Sequence, residues 1–268
     1  MGKKWGKAPG RQNAPETAGT GSFPAVLAFV ASVWAETRLF SLAGQLSGWV
    51  SLQSRDGTGA GAGLRYLPVL SLSKAFDKFR LDAEASANVY GETTLLPART
   101  IVADIRLKPY RVWARFSTSR FEARLGLQKI NFGSAALLRP LMWFDRIDPN
   151  DPLQLTDGVT GLLLKYTFRN NANVWLWGLG GNDELKGWES VPSGRTSPEF
   201  GGRIQTPVPA GEMALTYHHR LMNSAGSLVP LPTGEGDRVP EDRLGLDGKW
   251  DLGPGDGVAG RIGRVRRR

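Results

Sequence analysis

The segment 79–90 has an apolar residue at every second position over twelve residues. Side chains alternate between the two faces of a strand, so Phe79, Leu81 and Val89 share one face with three alanines, and polar or charged residues take the other. Soluble strands cluster near five or six residues, whereas a tilted strand needs about nine to eleven to cross a bilayer. The pattern therefore predicts a long strand with one apolar and one polar face.

Composition excludes several classes of protein. The chain has 268 residues and no Cys, so a disulfide framework and a Cys-based metal site are impossible. Its net charge of +9 lies almost entirely in residues 1–13 and 256–268, and the segment between them is nearly neutral. A basic groove for phosphates is not indicated, and we predict no nucleic-acid partner.

The N-terminal region has the order of a secretory signal. A basic lead precedes the apolar segment 23–35, which is too short to span a bilayer as a helix and has the length of a signal-peptide core. The alternative is a buried helix or strand. We predict a lead and signal peptide over 1–35, a barrel domain over 36–252 and a disordered Gly- and Arg-rich tail over 253–268.

Nine further segments resemble 79–90 in their alternation. One of them, 100–117, changes parity at Lys108, Pro109 and Tyr110, which indicates either a turn between two strands or a bulge within one. A bulge preserves the alternation of long and short connections along the chain, so we predict a bulge. The ten predicted strands are 45–53, 64–73, 79–90, 100–117, 121–132, 159–168, 172–179, 199–206, 212–220 and 243–252.

The connections predict the fold class. Short connections at 74–78, 117–120, 169–171 and 207–211 alternate with long ones at 54–63, 91–99, 133–157, 180–198 and 221–242. Tight turns on one side and long loops on the other are typical of up-and-down barrels of the outer membrane. We therefore predict an all-β, antiparallel transmembrane barrel of about ten strands, either closed or part of a larger barrel. Aromatic pairs beside the short turns would form an interfacial belt.

The polar faces of these strands carry charges of both signs. Such a face would line either a solute path with a bias toward anions or a narrow lumen closed by ion pairs, and both interpretations stay open. Trp113, Trp175 and Trp177 also fall on the polar face of their strands. Either they pack inside a plugged lumen, or the assignment of faces is wrong at 172–179. The predicted lumen-lining residues are Arg80, Asp82, Glu84, Asp104, Arg106, Arg111, Arg115, Glu122, Arg124, Gln128, Lys165 and Arg203.

The segment 124–152 contains GLQKINFG at 126–133 and DPNDP at 148–152. It resembles a strand and the following loop of porin-like outer-membrane barrels of Gram-negative bacteria, in the group of phosphate-selective and alginate-export-type porins. In such porins the third long loop often folds into the lumen, and here the third long connection is 133–157. The resemblance implies that a constriction would contain Arg139, Asp145, Arg146, Asp148 and Asp151.

Other chemistry has weaker support. Asp145, Asp148 and Asp151 could ligate a cation, but Asp near Pro is commonly turn chemistry. His218 and His219, the only histidines, lie on opposite faces of one strand and cannot form a joint site. A barrel enzyme using His218 is conceivable, although no Ser lies in a recognisable motif. We expect no metal, no cofactor and no catalytic residue.

The C-terminus departs from the resembled group, whose barrels end in a strand with a terminal aromatic residue; residues 253–268 contain none, as in a truncated version. We predict an exported outer-membrane channel for passive diffusion of small solutes, anions included. The alternatives are a non-conducting scaffold or surface-polymer assembly barrel, a barrel enzyme and a soluble basic binding protein. The expected partners are membrane lipid, solutes and the barrel-insertion machinery, and a homo-oligomer is left open.

Overall fold

A computed structural model describes residues 27–36, 39–54, 58–95, 101–132, 141–147, 155–223 and 238–250. Every regular element in these ranges is a β-strand, and no helix there has the length and apolar character that a membrane crossing needs. The strands are β1 (Leu27–Glu36), β2 (Phe40–Ser54), β3 (Thr58–Ala75), β4 (Arg80–Leu95), β5 (Ile101–Ser117), β6 (Phe121–Gln128), β7 (Arg146–Ile147), β8 (Thr156–Asp157), β9 (Val159–Thr167), β10 (Asn173–Leu179), β11 (Glu199–Val208), β12 (Gly211–Asn223) and β13 (Arg238–Trp250).

Eleven of these strands form one antiparallel sheet in chain order, β1-β2-β3-β4-β5-β6-β9-β10-β11-β12-β13, and β7 and β8 form a separate two-stranded sheet. The predictions of an all-β class and of antiparallel pairing between successive strands are confirmed. β1 and β13 are the edge strands of this sheet, and within the described ranges they do not pair with each other. Closure into a barrel and membrane location stay predictions.

The parity change at residues 108–110 is a bulge, as predicted. Ser86 pairs with Arg111, and Ala87 pairs with Pro109, so Tyr110 is the extra residue on β5. One extra residue reverses the faces of a strand. The charged residues on both sides of the bulge therefore lie on the same face of the sheet.

The connections alternate in length from β5 onward, whereas before β5 they are short at both ends of the strands. Short connections lie together at one end of the strands, because every second connection of an antiparallel sheet is at the same end. They are 76–79, 118–120, 168–172 and 209–210. At the other end of the strands, the connections 129–158, 180–198 and 224–237 are long, but those after β2 and β4 are only 55–57 and 96–100. Our prediction of long connections there was wrong, because Gly and Thr residues that resemble loop sequence extend β3 and β4.

The first strand was not among the ten predicted. Residues Leu27–Glu36 pair along their whole length with β2, from Leu27 opposite Val50 to Glu36 opposite Ser41. This segment overlaps the predicted signal-peptide core, for which a buried strand was the open alternative. Its pairing makes it the eleventh strand of the sheet, and cleavage of a signal peptide stays a prediction.

The two faces of the sheet have opposite polarity, and the apolar face is the exposed one. Ile105 and Leu107 expose 81% and 72% of their surface, while Arg220 and His218 on the other face expose 1% and 0%. The exposed apolar side chains of the strands are Phe40, Leu42, Val50, Leu64, Tyr66, Leu70, Leu72, Leu81, Ile105, Leu107, Val112, Phe116, Leu125, Leu162, Tyr166, Leu176, Phe200, Ile204, Leu215, Tyr217, Leu244 and Leu246. We call this the outer face and the opposite one the inner face.

The apolar core lies against the inner face of the C-terminal half of the sheet. It joins residues of β9 and β10 to the connection between β6 and β9. Its buried members are Ile130, Phe132, Leu141, Trp143, Phe144, Val159, Leu163, Trp177 and Leu179. Part of the connection 129–158 is thus packed on the inner face.

Candidate functional site

The inner face carries all the side chains that the sequence predicts to line a lumen. Cα partners on neighbouring strands share a face, and the pairing of Asp82 with Arg115 and of Arg115 with Arg124 continues to β9. Arg80, Glu84, Asp104, Arg106, Arg111, Glu122, Gln128, Lys165 and Arg203 follow the same parity. Their shared face is thus established by the register, and their role along a solute path stays a prediction.

Ion pairs cross the inner face of β3 to β9 in a ladder. The Asp82 carboxylate accepts hydrogen bonds from Arg80 Nε at 2.8 Å, Ser73 Oγ at 2.8 Å and Arg115 Nη2 at 2.9 Å. The next rung is Glu122, which lies 2.9 Å from Arg124 Nη2, 3.8 Å from Arg115 Nη1 and 4.0 Å from Lys165 Nζ. The ladder fits the predicted alternative of cross-strand Arg–carboxylate pairs.

Charges beyond the bulge in β5 are open to solvent. Arg106 exposes 64% of its side chain and pairs with Asp104, and Lys108 lies 2.9 Å from Asp157 and 3.3 Å from Glu184. Exposed pairs of this kind contribute about 0–1 kcal/mol to stability. The inner face of β4 and β5 therefore presents charged groups to water near the end of the sheet that carries the long connections.

The connection 129–158, which the sequence predicts as the third long one, extends over the inner face from β6 to β13. Phe132 stacks on Trp177 of β10 with ring centroids 5.5 Å apart, and Phe144 meets the His218 ring of β12 at 5.0 Å. Leu141 and Trp143 lie against Gly245 of β13, which leaves no room there for a larger side chain. The position of 141–145 agrees with the inward-folded loop that the resemblance implies.

Two of the five predicted constriction residues fall within the described ranges. Asp145 is buried, with its carboxylate 3.7 Å from Lys129 Nζ, and the backbone of Arg146 belongs to β7, paired with Asp157. Arg139, Asp148 and Asp151 lie outside the described residues. Across the described ranges, no three His, Cys, Asp or Glu side chains are grouped so that they could hold a metal ion.

A second connection, 180–198, is also fixed to the inner face. Lys186 Nζ lies 2.9 Å from Glu199 Oε1 at the start of β11, 3.4 Å from Glu189 Oε2 and 3.4 Å from Ser193 Oγ. Gly187 has a φ of 46°, and a Cβ atom added there would collide with the Met142 carbonyl oxygen. The two inward connections therefore pack against each other.

The buried charges of this region form a balanced network. Glu189 from the connection lies 3.2 Å from Arg220 of β12 and 3.2 Å from Arg243 of β13, and both arginines also pair with Glu241. With Lys186 and Glu199, three cations face three carboxylates, so each buried charge is compensated. Burial raises the pKa of the Glu189 carboxyl above its ordinary value, against the lowering effect of the three nearby cations.

The two histidines take opposite faces, as predicted. His218 Nδ1 accepts a hydrogen bond from Trp177 Nε1 at 3.1 Å, so its Nε2 carries the proton and donates to Glu199 at 3.1 Å. Both nitrogens of this buried ring are thus occupied by structural partners. His219 lies on the outer face with its Nδ1 2.8 Å from Asp242.

The three tryptophans with polar parity lie on the inner face and the parity is correct. Trp177 is buried in the core, and Trp175 packs against the core. Lys165 Nζ lies 3.9 Å from the Trp175 ring centroid, and Arg124 Cζ lies 4.9 Å from the Trp113 ring centroid. Packing inside a filled interior, one of the two open interpretations, accounts for Trp175 and Trp177.

The network of Lys186, Glu189, Glu241 and Arg243 was missed by the sequence reasoning. Lys186 and Glu189 lie in a connection without periodicity, and β13 begins at Arg238, five residues before the predicted strand. Residues 238–242 read Arg-Val-Pro-Glu-Asp, which has no alternation of apolar and polar residues that could have extended that strand. Nothing in the sequence indicated that Lys186 and Glu189 lie on the inner face.

No protein-family model matches the sequence, no curated protein is significantly similar to it, and no solved structure matches its fold at a significant level. The resemblance to porin-like barrels stays a prediction that depends on the segments 126–133 and 148–152. Function must therefore be inferred from the geometry of the two faces.

Proposed function

We propose that the chain is an outer-membrane β-barrel protein of a Gram-negative bacterium that acts as a passive channel for small solutes, with a preference for anions. The observation that carries the proposal is the reversed polarity of the sheet, which exposes leucines, isoleucines and aromatics and buries arginines and carboxylates. Outer-membrane barrels have this polarity, because lipid covers the outer face and water or polar pairs fill the interior.

The energetic cost of the exposed face supports the membrane location. Leaving one large apolar side chain in water rather than burying it costs about 1.5–3 kcal/mol. About ten of them together forgo roughly 15–30 kcal/mol of burial free energy, which is large beside the roughly 5–15 kcal/mol of net stability of a typical domain. A hydrocarbon environment removes this cost for the whole outer face.

The inner face supplies features of a solute path. Arg80 and Arg106 of β4 and β5 are more than half exposed, so water reaches this part of the interior. Cations outnumber carboxylates among the predicted lumen-lining residues, which favours anions along such a path. The packed connections leave β4 and β5 as the wall past which solutes would move.

The experiment is to purify the protein from the membrane fraction, test whether heating changes its gel mobility and then record conductance in planar bilayers. A folded, heat-modifiable protein with single-channel steps and anion preference would support the proposal. A chain that stays in the aqueous fraction without detergent would contradict the membrane location. A folded membrane protein without conductance would contradict only the channel.

A second candidate is a non-conducting barrel that serves as a scaffold or in surface-polymer assembly. It is favoured by the inward connections 129–158 and 180–198, whose aromatic and ionic contacts cover the inner face of β10 to β13. Conductance also separates this candidate from the channel. If removal of residues 181–197 creates conductance in a protein that otherwise lacks it, the scaffold is favoured and the connection is a plug.

A further inference from the structure

A cavity of about 560 Å³ opens on the outer face near the short connections. At its centre are Ala83 and Ala114, which are paired across β4 and β5, and Ala123 of β6. Larger side chains flank them, among them Leu72 and Leu125. The three alanines leave a hollow in an otherwise bulky apolar surface, and its volume lies within the range of about 300–1,000 Å³ of small-molecule sites.

Three charged residues line this hollow, and Lys74 is the one whose side chain has the parity of the outer face, because Asp82 and Arg115 are inner-face residues. Lys74 of β3 has the parity of the outer face and is paired with Leu81, whose side chain also lines the cavity. Within the described ranges no carboxylate lies within salt-bridge distance of its ammonium group, which lies 5.1 Å from the Phe76 ring centroid. A lysine on an apolar face near a membrane boundary extends its amine toward the headgroups.

The edge of the hollow toward the short connections is basic. Lys78, Arg120 and Arg169 are exposed on the short connections, and Asp77 is the acidic residue among them. An aromatic cluster adjoins the hollow, with Phe76 and Phe79 stacked at 4.4 Å and Phe116 within 5.6 Å of Phe79. Aromatic residues mark the level of the headgroups, so the hollow reaches from that level into the hydrocarbon region.

We propose that this hollow binds one anionic phospholipid, with an acyl chain against Ala83, Ala114 and Ala123 and the phosphate beside Lys74. The proposal rests on the membrane location proposed above. Charge selects this occupant, because the lining and the nearby edge carry cations that attract phosphate and would repel the same edge of a second copy. In the proposed orientation the short connections face the periplasm and the phospholipid leaflet.

The test uses the full chain, folded in detergent and incubated with fluorescent phosphatidylglycerol or phosphatidylcholine, followed by detergent washing and counting of retained lipid per folded protein. We expect about one phosphatidylglycerol per chain. Ala83→Phe should abolish retention by filling the hollow. Ala85→Phe is the matched control, because Ala85 lies on the same strand and face outside the lining, and it should retain lipid as the natural chain does.

Lys74→Gln separates the headgroup from the acyl chain. It should lower the preference for phosphatidylglycerol over phosphatidylcholine by about fivefold while leaving the hollow intact. Equal retention by Ala83→Phe and Ala85→Phe would overturn the site, as would cross-linked dimers without retained lipid. Loss of lipid binding in a heat-modifiable membrane protein leaves the membrane location standing, whereas a chain that never enters membranes contradicts the proposed function itself.

Discussion

The inner face of one sheet is built in two different ways. On β3 to β5 it holds a ladder of ion pairs around a buried Asp82, with Arg80 more than half exposed, and no member of the apolar core lies on these strands. On β10 to β13 it is covered by two connections, whose aromatic residues and buried charges fill the interior. The same strand alternation therefore produces a wet wall on one side and a packed wall on the other.

The comparison shows what determines the environment of an inner charge. Arg106 and Arg220 both lie on the inner face and each pairs with a carboxylate, yet Arg106 is largely exposed and Arg220 is buried. The difference comes from the connections beyond the strands, because only the second group is covered. An ion pair costs little in the first setting and requires full compensation in the second.

The largest expected difference between the two walls concerns these arginines. Arg220→Ala should lower the free energy of unfolding by about 3–5 kcal/mol, because it leaves Glu189 and Glu241 with one fewer buried partner. Arg106→Ala should change it by about 0–1 kcal/mol. Denaturant titration in detergent measures both, and equal losses would show that the two walls do not differ.

A pair of tryptophans tests whether the packed wall depends on its aromatic residues. Trp143 is buried against β13, whereas Trp188 in the other inward connection exposes 68% of its surface. Trp143→Ala should cost about 3 kcal/mol of unfolding free energy through the cavity it leaves. Trp188→Ala should shift the denaturation midpoint much less, because most of the side chain is already in solvent; a shift as large as that of Trp143→Ala would contradict the packing described.

The boundary between the two walls is β6, where Gly126 has a φ of 120° and faces the Val112 carbonyl. Gly126→Ala should destabilise the protein by about 1–3 kcal/mol, because a side chain strains this backbone and collides with β5. Gly178→Ala is the control, since no atom lies within 4 Å of its added methyl group. Thermal gel-shift midpoints should fall for the first variant and hold for the second.

The smallest effect concerns selectivity along the wet wall. In the proposed channel, Arg106→Gln should lower the anion-to-cation permeability ratio by about twofold, because a single exposed charge is largely screened by salt. Lys74→Gln removes the same charge from the outer face and should leave the ratio unaltered. Reversal potentials in a salt gradient measure both, and an equal change in the two variants would place the solute path elsewhere.

The sequence predicted the strands well because a period of two is a local signal. All ten predicted segments match strands of the sheet, and the parity rule placed Arg80 and Arg203 on one face across a bulge at Tyr110. The extra strand β1 was missed because its continuous apolar sequence also suits a signal peptide.

The candidate site was predicted in outline only. Which inner charges meet depends on register between distant strands, so the pairing of Arg203 with Asp247 could not be read from either segment. The cover over β10 to β13 comes from connections without periodicity, such as 141–145. Three of the five predicted constriction residues lie outside the described ranges.

Strand length differs between the two walls as much as their cover does. β3 has 18 residues and β10 has 7. At about 3.3 Å per residue and a tilt of about 45°, β3 would rise about 40 Å along the membrane normal and β10 about 16 Å, beside an apolar band about 25 Å tall. In the proposed membrane location, with the short turns at one common level, the wet wall would project about 15 Å above the bilayer as a one-sided lip, which incoming molecules would meet first.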